Sequence, residues 1–142
     1  MANAQAICVS FKKEILQGIH AIETDTIKAA LYNATASITG STSAYTVTGE
    51  QSATGTYSAG GTTVTHATSA STTASTAFWT PSSSLQWTGV TMVNVEAVLL
   101  YNSSKANRAI SVHTFGTQSL TNGTLTLTMP VNDATTGLLR LT

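Results

Sequence analysis

Three histidines, one cysteine and six carboxylates are the side chains best suited to acid–base, nucleophilic or metal chemistry. His20, His66 and His113 stand far apart, and none has a neighbour at the short ligand spacing that a zinc site uses. No metal site is expected. Hydroxyls are abundant, but no G-x-S-x-G elbow frames a serine, so nothing in the pattern argues for a Ser-His-Asp triad. The carboxylates are Glu14, Glu23, Asp25, Glu50, Glu96 and Asp133. Glycoside hydrolysis needs two carboxyl groups flanking one bond, and Glu50 with Glu96 or Asp133 is a conceivable pair. A sugar site normally brings more aromatics and acids than this chain holds. Neither a P-loop nor a dinucleotide fingerprint occurs. The chain therefore reads as a non-enzyme with no cofactor. Cys8 is the single cysteine, which excludes an internal disulfide framework. It lies in an apolar-periodic segment and is expected to be a small buried hydrophobe.

Other local features are read structurally. Asn33-Ala-Thr35, Asn102-Ser-Ser104 and Asn122-Gly-Thr124 match the glycosylation sequon, as chance provides in a chain this rich in Ser and Thr. Asn122-Gly123 reads as a hairpin turn leading into a following strand. Asn102 to Asn107 reads as the loop of another hairpin, and its Lys105 and neighbouring Arg108 are two of the few charges available for a contact. Trp79 and Trp87 are expected in an aromatic core; as exposed platforms they would instead stack on a sugar.

The elements that must position these residues are mostly strands. From Val95 onward the chain reads as four: VEAVLLYN, RAISVHTFG, GTLTLTMP and LLRLT. In the third, Leu125, Leu127 and Met129 alternate with Thr124, Thr126 and Thr128, the mark of a half-buried antiparallel strand with one wet face. Further strands are expected at 26–33, 62–68, 77–81 and 84–93, with a turn at Pro81 to Ser84. Residues 34–75 are weakly hydrophobic and rich in Ser, Thr, Ala and Gly, yet they carry Tyr45, Val47, Tyr57 and Val64 at intervals. The good helical stretch is 4–20, where Ile7, Phe11, Ile15 and Ile19 recur every four residues with Val9 and Leu16 beside them. Such a helix needs a surface for its stripe: its own sandwich, or a neighbouring subunit if residues 1–25 form an arm on a domain spanning 26–142. The expected fold is all-β, an antiparallel sandwich of jelly-roll type with one short N-terminal helix.

Composition narrows the function classes. The 142 residues suffice for one domain with a core. Only 8% are charged, against roughly 25% in ordinary globular chains. Counting gives 16 Ser and 28 Thr, so the polar surface is built from hydroxyls rather than ions. Six basic and six acidic residues cancel, which argues against nucleic-acid binding and leaves little self-repulsion. No signal peptide and no apolar run of membrane-spanning length is present, so synthesis in a cytoplasm is expected.

Taken in order, several segments resemble small virion proteins of tailed bacteriophages and prophages. They are the SFKKEILQGIH helix, T-I-K-A-A-L-Y, Tyr57-Ser-Ala-Gly60-Gly61, Ala77-Phe78-Trp79, Ala97 to Asn102, Ala109 to Gly116, Leu125 to Pro130 and Leu138 to Leu141. The resemblance covers nearly the whole chain. It implies a virion component without catalytic residues, similar to the jelly-roll cement (decoration) proteins on the capsid surface of short-tailed phages. It also implies the major capsid protein and copies of the chain itself, as dimer or trimer, as partners. Ile7, Phe11, Ile15, Ile19, Lys105 and Arg108 are the candidate assembly contacts. Tail or neck components and a carbohydrate-binding sandwich are the alternatives.

Overall fold

The computed structural model describes residues 2–65 and 69–142. The strand expected at 62–68 lies partly outside them, as does His66. The described chain is an all-β sandwich of two antiparallel sheets with one short helix. In chain order the elements are β1 (Ala6–Ile7), α1 (Val9–Leu16), β2 (Ile27–Asn33), β3 (Thr62–Thr63), β4 (Ser71–Thr73), β5 (Thr76–Trp79), β6 (Leu85–Asn102), β7 (Arg108–Leu127) and β8 (Leu139–Leu141). One sheet runs β1-β7-β6-β2-β3 and the other β4-β5-β8.

The centre is a single long hairpin. The segments expected as separate strands at 84–93 and 95–102 are one strand, β6, and those at 108–116 and 123–130 join into β7. The Asn122-Gly123 hairpin turn is thus corrected: Gly123 pairs with Val90 in the middle of the ladder. Asn122 does take the positive φ that a turn residue would, at 47°. It uses it as the extra residue of a bulge, and Gly89 (φ 64°) and Asn94 (φ 52°) lie at two further register shifts on β6. From Trp87 to Ala97 the extra residues fall alternately on β6 and β7, and the core-facing residues of β6 stay buried through the shifts. Trp87, Val90, Met92, Val95 and Leu125 are all buried while the threonines between them stay wet. The loop expected at 102–107 is the true hairpin connection, with Ala106 and Asn107 at positive φ.

The helix is shorter than its apolar period. Ala6 and Ile7 pair with Val112 and Ser111, extending the large sheet. Cys8 is still extended, and its N–H donates to Ile110 O at 2.9 Å. Helix α1 begins at Val9 and ends before Gly18, whose φ of +68° closes the last turn. Phe11 is buried and Ile15 packs against the core, whereas Val9 and Leu16 point to solvent at 65% and 89% exposure. The N-terminal segment packs on its own sandwich rather than standing clear of it as an arm.

Residues 34–61 lie along the sheet with little regular structure of their own. They are tied by Asn33 N–H to Gly49 O, Gln51 N–H to Leu31 O and Thr56 N–H to Thr88 O, all within 3.0 Å. Gly61 (φ +81°) sits so close to β2 that a Cβ there would lie 2.2 Å from Ala29 O. The core that results covers both faces of the sheet centre, and Ala29 to Tyr32, Ala97 to Asn102 and Ala109 to Val112 are buried without alternation.

Candidate functional site

Two clusters of polar side chains are buried in this frame, one on each side of the β6–β7 hairpin end. The first joins four segments. Glu14 on α1 is 5% exposed. It accepts from Arg108 Nη1 at 2.7 Å and contacts His20 Nε2 at 2.7 Å. Asn102, at the end of β6, is fully buried and donates from Nδ2 to Asp25 Oδ2 at 2.7 Å. The same Nδ2 lies 3.0 Å from His20 Nδ1. Ser104 N–H donates to Asn102 Oδ1, which fixes the amide orientation. With the amide so oriented, His20 Nδ1 accepts from Asn102 and the Nε2–H donates to the Glu14 carboxylate. Lys105 Nζ stands 3.7 Å from Asp25 Oδ1.

Burial alone would raise both acids. For Glu14, the bonds from His20 and Arg108 outweigh it, and for Asp25 those from Ala21 N–H and Asn102 do, so both titrate below their ordinary values. Lys105 and Arg108, sought as surface contacts, thus place their charges on acids of their own chain, with side chains 39% and 41% exposed. Of the other candidate contacts, Ile7 is in β1, Phe11 and Ile15 face inward from α1, and Ile19 follows the helix half-buried.

The second cluster gathers all four tyrosines. Glu50 accepts from Tyr45 Oη at 2.5 Å, Tyr57 Oη at 2.7 Å and Gly60 N–H at 2.7 Å. Tyr57 Oη in turn accepts from Leu31 N–H on β2 at 2.9 Å. Tyr32 donates to Thr46 O, Tyr101 donates to Gly60 O, and the Tyr45 and Tyr101 rings stack at 4.8 Å. Burial, then the Glu50 charge, raises Tyr45 and Tyr101, and the same two causes act on Tyr57 and Tyr32. The phenols stay neutral donors, and the cluster staples loop 34–61 to the sheet.

These contacts decide the conceivable chemistry. Glu50, Glu96 and Asp133 each have a separate set of partners. Glu96 accepts from Asn3 and Thr117, and Asp133 caps its own turn through Thr135 and Thr136. No carboxylate pair is assembled from them. Ser111 Oγ is 2.8 Å from His113 Nε2, the distance of a nucleophile and its base. Ser111, however, is fully buried, and no described carboxylate bonds the other ring nitrogen. Among the described residues no group of three His, Cys, Asp or Glu is placed to hold a metal. Cys8 is fully buried and its thiol is pushed up to about 11, first by burial and then by Glu14. Trp79 and Trp87 are 2% and 1% exposed, and Trp87 Nε1 donates to Thr62 Oγ1. Neither indole offers a platform to solvent.

Two apolar hollows remain. One of about 200 Å³ lies between α1 and the small sheet, among Phe11, Ile15, Ile22, Phe78 and Trp79. The other, about 320 Å³, lies beneath the open end of the long hairpin, among Leu85, Phe115, Leu127, Met129 and Leu138. Nothing in the local pattern singles out Asp25 among the carboxylates, and Asn102 reads only as the start of a loop. Glu14 did carry a signal: three residues after Phe11, it falls beside the apolar stripe of the helix.

The fold and its clusters define a charge-poor all-β sandwich whose buried ions and phenols tie the chain to itself. Compared with known proteins, the chain matches no family model, no curated protein and no solved structure.

Proposed function

We propose that this chain is a structural protein of a tailed-bacteriophage virion, acting as a cement protein on the outer capsid lattice. It binds the major capsid protein, bridges neighbouring capsomers and stabilises the shell against the pressure of packaged DNA. The mechanism is mass action, because a ligand that binds only the assembled lattice stabilises that state. The observation that carries this reading is the wet face of the long hairpin. Thr88, Thr91, Thr117, Thr121, Thr124 and Thr126 are exposed on it, and no Lys, Arg, Asp or Glu occurs from Ala109 to Asn132. On the facing strand β6 the one acid is Glu96, bonded to Thr117, and a surface this poor in charge suits close packing against a repeating neighbour, where contacts rest on apolar area, hydroxyls and backbone edges. The ordered resemblance to small virion proteins adds to it.

A tail or neck component would use the same surface at low stoichiometry. A carbohydrate-binding module would need exposed rings, and both tryptophans are in the core. The deciding measurement is copy number in purified virions of the phage that encodes the chain. A number comparable with that of the major capsid protein is expected. A handful of copies would move the protein to the tail or neck, and absence from virions would overturn the proposal.

A further inference from the structure

Strand β7 has an open edge. On the side away from β6 its strand partner is β1, which reaches only Ser111 and Val112. Towards the start of the strand, Cys8 N–H bonds Ile110 O and Ala109 N–H bonds Ser43 O; past Val112, among the described residues, that side of the backbone is met only at Thr114, whose N–H donates to Gln5 Oε1. An unpaired strand edge is a template for another strand, and proteins usually blunt it with charge, proline or bulges. Here bulges interrupt the ladder near Asn122 and between Thr114 and Gln118, but Leu125 to Leu127 pairs in unbroken register with Trp87 to Leu85. No charge or proline lies in that stretch.

The clean stretch sits in a palindrome, Thr124-Leu125-Thr126-Leu127-Thr128. We propose that two copies of this chain pair antiparallel through this edge, with the two-fold axis at Thr126. Threonine 124 of each copy then meets Thr128 of the other, and Leu125 meets Leu127, so threonines continue the wet face and leucines the inner face. An isologous contact places like residues across its axis, and a strand without charge meets no repulsion there. The occupant is a second copy for a further reason. The hollow beneath this edge is lined by Leu85, Leu127, Met129 and Leu138, and pairing brings the partner's own apolar face of the same strand beside it. This inference supplies a partner surface for the cement reading and stands independently of the capsid.

The experiment is sedimentation velocity on the full chain and two variants. The wild type is expected to be a dimer that dissociates on dilution. Thr126→Lys places two ammonium groups against each other on the axis and is expected to give monomer with an unchanged circular dichroism spectrum. Thr88→Lys, on the same wet face one strand inward, is expected to stay dimeric. Thr126→Cys is expected to cross-link spontaneously under mild oxidation, since directly opposed antiparallel residues lie within disulfide reach and Cys8 is buried. A wild type that remains monomeric at every concentration overturns the inference, as does a folded Thr126→Cys that does not cross-link. A monomer present at high copy number on virions would sink this inference alone. A dimer absent from virions would sink the cement reading alone.

Discussion

Asn102 concentrates the strongest single-residue effect. It is fully buried, donates to Asp25 and lies within hydrogen-bond distance of His20. Asn102→Ala leaves a buried carboxylate short of a donor and Ser104 N–H without its acceptor. A loss of about 2–3 kcal/mol of unfolding free energy is expected in urea titration, since unsatisfied buried partners lose their full desolvation cost. His113 supplies a pH dependence. Burial pushes its imidazole down to about 4, from 6.5 in the unfolded chain. A depressed pKa means that the unfolded state takes up the proton first. Stability from this residue is complete above pH 6.5 and is lost as pH falls towards 4, by at most about 3 kcal/mol. His113→Gln should flatten the stability profile in that window. The further loss at lower pH, where Glu14 and Asp25 protonate, should remain in the variant.

Among the elements, the N-terminal segment and loop 34–61 are held by different means. The first contributes β1 to the sheet, Phe11 to the core and Glu14 to the ion cluster. Phe11→Asp should therefore unfold or aggregate the protein, because it loses roughly 1.5–3 kcal/mol of apolar burial and adds a buried charge. A soluble, cooperatively folding variant would show that the segment is dispensable to the sandwich. The loop is held by Glu50, its tyrosines and a close backbone approach at Gly61. Gly61→Ala forces a Cβ into Ala29 O from a positive φ, and backbone cannot swing aside as a flexible side chain can. A destabilisation of about 2 kcal/mol or more is expected from chemical denaturation.

For the whole molecule, the charge pattern sets how it should associate. Glu14, Asp25, Lys105 and Arg108 pair within the chain, and between Leu85 and Asn107 on the hairpin the acid is Glu96, held by Asn3 and Thr117, with Lys105 in the connection. Salt screens exposed charges and leaves apolar and hydroxyl contacts largely untouched. If the cement reading holds, moderate salt should not strip the protein from virions, whereas mild denaturant should. Quantitative release by salt alone would point to a contact through Lys12, Lys13 or the other exposed charges.

The class of fold was legible from residue order, because side-chain alternation is a local property of each strand. Leu125 to Met129 shows its wet and dry faces by alternation alone, and the near absence of charge is plain from composition. Tertiary structure decided where those strands begin and end. A positive φ at Asn122 serves a two-residue turn or a bulge equally well, and the long partner β6 selects the bulge. An apolar period of four marks Ile7 and Ile15 alike, yet pairing with Ser111 takes Ile7 into a strand and leaves the helix to start at Val9. The clusters were still less legible. Glu14, His20, Asp25, Asn102 and Arg108 come from segments that meet only when β6 and β7 close their hairpin against the helix, and Glu50 finds its tyrosines only when the loop lies down on the sheet. Local patterns record which face a residue prefers. Which partner fills that face is settled by packing between segments distant in the chain.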